Sequence, residues 1–148
     1  MVTPNEYEIL EELQRQTGRT SQRVMTALQF FIKIRHRKTT EDNIHTDKKV
    51  LYITSVHHMN KAIKEYCHDI FVDHVARGIT DNEASGLYHK YIRPNIIIAH
   101  TNYLLKGVNA DLLVFDLCIP IKKEFYENTL SQAKDAPIVG RESVLIKE

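Results

Sequence analysis

The chain has 148 residues, enough for one domain built on one hydrophobic core. With 43% apolar and 26% charged residues its composition is that of an ordinary globular protein, which excludes disordered and fibrous classes. A formal net charge of +1 gives no overall attraction to nucleic acid or anionic lipid, so any such contact has to come from local clustering.

The amino-terminal stretch MVTPNEYEILEEL carries acids where a secretory signal needs a basic start and an apolar run. Thr3 can cap a first helix, Pro4 suits its first position and Glu6 completes a capping box. Ile9, Leu10 and Leu13 form one stripe up to a stop at Thr17-Gly18. A second helix is expected from Thr20 or Ser21, with Val24, Met25, Leu28, Phe31 and Ile32 at three-and-four spacing, ending in RHRKTTED. The segment KKVLYIT is short, β-branched and aromatic, and reads as a strand or an extended linker.

Ser55 can cap a third helix with Met59, Ile63, Tyr66, Ile70 and Val75 on one face, ending at Gly78. TDNE, Thr80 to Glu83, is a second capping box, opening a shorter helix through Ala84, Leu87, Tyr88 and Tyr91. Pro94 predicts the start of a helix running to Gly107. Asn109 can cap a last long element whose first half, Leu112 to Ile119, is apolar nearly all round and is expected to be the most deeply buried helix. Pro120 interrupts it before IKKEFYENTLSQAK resumes. The tail APIVGRESVLIKE holds two short β-like pieces that either pair with Val50 to Ile53 or attach loosely. The expected fold is all-α: a bundle of five or six helices over residues 1–148, with a minor two-stranded β element near 50–54 and the tail 136–148.

The longest near-apolar run, LLVFDLCIPI, is broken by Asp116 and Pro120 and is far shorter than the ~20 residues that span a bilayer. No membrane partner and a cytoplasmic location are expected. Cys67 and Cys118 stand alone, without a CxxC, and read as buried thiols. Eight histidines show no HxxxH or HExxH spacing, so neither a metal nor a cofactor is expected. Five scattered glycines cannot assemble a phosphate cradle, and no Walker loop, GxGxxG, GxSxG or EF-hand spacing is present. The common nucleotide hydrolases and dehydrogenases are thereby set aside.

Two features carry functional hypotheses. From Arg15 to Lys38 there are seven cations, Arg15, Arg19, Arg23, Lys33, Arg35, Arg37 and Lys38, and no acid. Such a segment can contact phosphates of RNA or DNA, or pair with acids elsewhere. The second feature is the octet RPNIIIAH, Arg93 to His100. On a helix these two side chains lie nearly two turns apart on one face, and Arg93 stands at an anion-attracting amino terminus. An arginine fork that stabilises phosphoryl oxygens and a histidine that moves protons suffice for metal-independent RNA cleavage through the ribose hydroxyl.

The Arg, six residues, His pattern resembles the R-x4-6-H motif of the HEPN family of ribonucleases and nucleotide-binding domains. That resemblance implies a four-to-five-helix bundle, a homodimer, and Arg93 and His100 as catalytic residues meeting in a shared cleft. Asn95 is a looser catalytic candidate, and Pro94 departs from the pattern in the position after the arginine. The other function class is a non-enzymatic helical regulator of phage or mobile-element type, binding nucleic acid through residues 15–38 or engaging a protein partner. In the plainest reading His100 bonds a neighbour at the edge of the core and Arg93 is solvated.

Overall fold

VLYIT, the β-branched and aromatic run, forms β1 (Val50–Thr54), and all five of its residues are buried. A strand buried on both faces belongs in the middle of a covered parallel sheet. In the computed structural model, which describes residues 18–54, 59–100 and 104–147, β1 lies between β2 (Ile96–His100) and β3 (Leu112–Asp116). Both pairings are parallel, with Val50 opposite Ile96 and Leu112, and Thr54 opposite His100 and Asp116. A two-residue strand, Ile138–Val139, pairs parallel with β3 and completes the order β2-β1-β3-β5. It is numbered β5 because β4 (Ile121–Lys122) precedes it and pairs parallel with β6 (Ile146–Lys147) in a separate two-stranded ribbon.

Helices cover both faces. The segment predicted to start at Thr20 or Ser21 is α1 (Arg19–Gln29), entered through Gly18 in the left-handed conformation, φ +71°. Of its expected stripe Val24, Leu28 and Phe31 are fully buried and Met25 and Ile32 partly so, but the helix ends at Gln29, before Phe31 and Ile32 and well short of RHRKTTED. Next comes α2 (Met59–Ile70), which continues through a π-helical turn, Phe71–Val75, and buries Ile63, Cys67, Phe71 and Val75. The capping box at Thr80 opens α3 (Asp81–Leu87): the Thr80 hydroxyl accepts from the Glu83 N–H, and the Glu83 carboxylate accepts from the Thr80 N–H, each at 3.2 Å. A second π-helical turn, Tyr88–Ile92, leads towards β2. These helices pack with Val50, Tyr52, Ile96, Ile98, Leu112 and Val114 on one face of the sheet. On the other face Leu51, Ile53, Ala99, Leu113 and Phe115 meet α4 (Lys123–Ser131) through Phe125 and Leu130. The β1-to-β2 connection thus runs on one face and the β3-to-β5 connection on the other, as crossovers in opposite directions require.

The architecture is α/β, and the expected all-α bundle is wrong. The helix expected from Pro94 to Gly107 is instead a 3-10 turn, Arg93–Asn95, followed by β2. The expected deepest helix, Leu112 to Ile119, is β3 at the heart of the sheet. A continuous apolar run suits a strand covered on both sides as well as a buried helix, and here sheet pairing decides. The minor β element near 50–54 is in fact the central strand, and the tail pairs with β3 and β4, not with β1. The first helix, Thr3 to Thr17, and the Ser55 cap lie outside the described residues. No helix among the described residues is long and apolar enough to cross a membrane.

Candidate functional site at the carboxyl end of the sheet

Residues in register on parallel strands point to the same face, and alternate positions along a strand share it. The face beneath α1 and α2 therefore shows three rows. The first is Val50, Ile96 and Leu112; the second is Tyr52, Ile98 and Val114; the third is Thr54, His100 and Asp116. The first row is wholly apolar, the second nearly so, and the third wholly polar. All three members of the last row are buried, Asp116 at 2% exposure and Thr54 and His100 at 3% each. Burying a carboxylate costs several kcal/mol unless partners offset it, at about 1–3 kcal/mol per lost bond, so this row is expensive for a purely structural feature.

The partners come from two directions. Tyr52, one row below, donates its hydroxyl proton to Asp116 Oδ2 at 2.7 Å. Burial, and then the Asp116 charge and hydrogen bond, push the Tyr52 phenol well above its ordinary pKa and keep it a donor. From α1, Arg19 donates to the Leu117 carbonyl and brings its Nε to 3.9 Å from Asp116 Oδ1. The Arg19 side chain is 32% exposed, so one fork reaches from solvent to a buried carboxylate.

One helical turn on, Arg23 is more deeply set. Its Nη2 lies 2.6 Å from Glu142 Oε1, a contact that holds the Glu142 carboxyl below the usual carboxylate range. Gly140 follows β5 at the same end of the sheet with φ +84°. A Cβ there would sit 2.1 Å from the Phe115 carbonyl oxygen and 3.0 Å from Arg23 Nε, so only glycine lets the chain pass. The Nε atoms of Arg19 and Arg23 are both buried without a hydrogen-bond acceptor among the described residues.

The cluster lies where the strand order reverses, since β2 is laid on one side of β1 and β3 on the other. Ligands of open parallel sheets bind outside the carboxyl ends of the strands at such a reversal. α1 also delivers its amino terminus here. It has no side-chain cap and no acid in its first turn, so nothing on the helix itself offsets the positive end of its dipole. No group of three or more His, Cys, Asp or Glu able to hold a metal ion occurs among the described residues.

The residues singled out in the sequence divide. His100, Arg19 and Arg23 are in or beside this site. Arg93 is exposed in the 3-10 turn before the amino end of β2, while His100 is the residue at its carboxyl end. A strand advances about 3.3 Å per residue, so the two side chains are separated and not stacked over one helical face. Asn95 is occupied structurally: its amide donates to the Tyr91 carbonyl at 2.8 Å and to the Thr46 carbonyl at 3.4 Å. Lys33, Arg35, Arg37 and Lys38 are exposed beyond the far end of α1, and Arg35 donates to Gln29 Oε1 at 3.0 Å. Arg15 lies outside the described residues. Sequence reading missed Thr54 and Tyr52, and saw Asp116 only as a break in an apolar run. An acid ending such a run was the available signal.

Comparisons with protein-family models, with curated proteins and with solved structures found no match to this chain.

Proposed function

We propose that the carboxyl end of the sheet binds the phosphates of a nucleoside polyphosphate together with a magnesium ion. The observation that carries this reading is Asp116, a buried carboxylate at the end of a central parallel strand, facing a cation on the first turn of an uncapped helix. Gly18, Arg19 and Thr20 supply what the last three positions of a phosphate-binding loop require: a left-handed glycine entering a helix, a cation, and a hydroxyl. The chain departs from the complete Walker pattern in having Arg19 for lysine and Leu13 for the first glycine.

In this reading the first-turn N–H groups and Arg19 hold phosphate oxygens. Arg19 would exchange its hold on the Leu117 carbonyl for the ligand, and Asp116, held by the Tyr52 hydroxyl, would be the residue to take the magnesium ion. Leu117, 1% exposed, follows Asp116 directly, so β3 brings one carboxylate and not two. Binding is therefore the activity assigned to the site. Calorimetric titration with ATP and GTP, with and without magnesium, tests it. Affinity is expected to fall at least ~10-fold in Arg19→Ala, and the magnesium dependence to disappear in Asp116→Asn, as losing a charge-assisted bond of about 1.5–3 kcal/mol implies. Absence of binding by the wild-type protein at millimolar nucleotide, or equal binding by both variants, overturns the reading.

A second reading rests on Lys33, Arg35, Arg37 and Lys38, which are all exposed and close in sequence. They offer a contact for nucleic-acid phosphates whose affinity would fall with salt. Full retention of gel-shift affinity after neutralising all four would dismiss it.

A further inference from the structure

Away from the sheet's carboxyl end, the outer surface between α2 and α3 brings a second chemical cluster together. His68, near the end of α2, places Nδ1 3.1 Å from Asp69 Oδ1 and Nε2 2.8 Å from Ser85 Oγ on α3. Two ring nitrogens thus face two different partners. A carboxylate accepts only, so it fixes the imidazole proton on Nδ1 and leaves Nε2 to accept from the serine hydroxyl. The result is the order carboxylate, imidazole, hydroxyl, with both contacts inside hydrogen-bond range.

The imidazole is also held from its other sides. The Tyr88 ring meets it edge-on at 5.3 Å between centroids, and Tyr88 is itself fixed by donating its hydroxyl to the Lys64 carbonyl at 3.3 Å. His89 stacks against His68 at 5.2 Å, and it is four residues after Ser85, the spacing that places two side chains on one helix face. A second imidazole therefore lies on the hydroxyl's own side of the cluster. Gly86, next to Ser85, leaves the approach open: a Cβ built there meets nothing within 4 Å.

We propose that Ser85 is the nucleophile of an acyl-transfer site acting on small activated esters, with His68 as its base and Asp69 as the positioning residue. Ser85 Oγ attacks the carbonyl carbon while its proton passes to His68 Nε2. The same proton then goes to the departing alkoxide, leaving an acyl-serine and a free alcohol. Water, losing a proton to Nε2, adds to the acyl carbon, and as the acyl–oxygen bond breaks Nε2 returns that proton to Ser85 Oγ, releasing the acid and regenerating the serine.

Labelling the intact protein with a fluorophosphonate probe and mapping the adduct by mass spectrometry tests the assignment, with p-nitrophenyl acetate hydrolysis as the turnover assay. One adduct on Ser85 is expected. It should be absent in Ser85→Ala, at least ~100-fold slower in His68→Gly, and restored in part to that variant by added imidazole. Asp69→Asn should slow labelling about 10-fold without changing the melting temperature. In a Ser85→Cys protein, iodoacetamide should alkylate residue 85 faster when His68 is present than in Ser85→Cys with His68→Gln. No adduct, an adduct elsewhere, or rates at position 85 indifferent to His68 in both formats overturns the proposal.

Discussion

At the amino end of the sheet the row Val50, Ile96 and Leu112 is apolar, and the strands are tied by one side-chain and one backbone acceptor: the Lys49 N–H donates to the Asp111 carboxylate Oδ2 at 2.9 Å and the Asp111 N–H to the Lys49 carbonyl at 2.7 Å. At the carboxyl end, four residues along the same strands, the row is Thr54, His100 and Asp116, and cations lean in from a helix. Both rows are equally hidden from water. They differ in what burial does for them. Apolar side chains gain about 25 cal/mol per Å² on leaving water, whereas a carboxylate and an imidazole lose hydration and must be compensated. One end of the sheet is therefore built for stability, and the other spends stability on placing polar groups.

The largest effect that separates the two ends is expected from Leu112→Ala. It should cost about 2–5 kcal/mol by denaturant titration, since Leu112 is 3% exposed, yet leave the nucleotide affinity of the folded protein unchanged. Asp116→Asn is the opposite case, with binding altered far more than stability. If Leu112→Ala abolished binding in the folded state, the division of labour would be wrong. Next in size is Tyr52→Phe, which leaves Asp116 Oδ2 one donor short in a buried place and should cost about 1–3 kcal/mol.

The smallest expected effect is in alkali. Burial pushes the Cys67 thiol up to about 12 and raises Tyr52 well above its ordinary value. The folded state thus retains protons that the unfolded chain releases above roughly pH 8.5 for thiol and pH 10 for phenol. Stability contributed by keeping both groups neutral is complete below those values and declines as pH rises through them. Melting temperatures measured from pH 8 to 11 should fall, and less steeply in Cys67→Ala.

Local signals in the sequence survived contact with the structure where the chemistry was local. The capping box at Thr80 depends on four consecutive residues and was legible as such, and the α1 stripe follows from one helix face meeting the core. IIIAH and LLVFD were not legible as strands, because a strand covered on both faces loses the alternation that betrays a half-buried one. Their misreading as helices also hid the site. Placed on a helix, His100 pairs with Arg93; placed at a strand end, it aligns with Thr54 and Asp116, which come from other parts of the chain. Arg19 and Arg23 were visible as cations. Only strand order shows that both lean over the end of β3.

The strand order β2-β1-β3-β5 also bears on how the protein is made. During translation the segment 50–54 emerges long before 112–116, the strand that must cover one of its sides. Until then the nascent chain carries a largely apolar strand with a free hydrogen-bonding edge, the kind of surface on which aggregation starts. Holdase chaperones that recognise extended apolar segments should therefore engage ribosome-bound chains from which residues 50–54 have emerged and residues 112–116 have not, and engage them less once 112–116 have emerged.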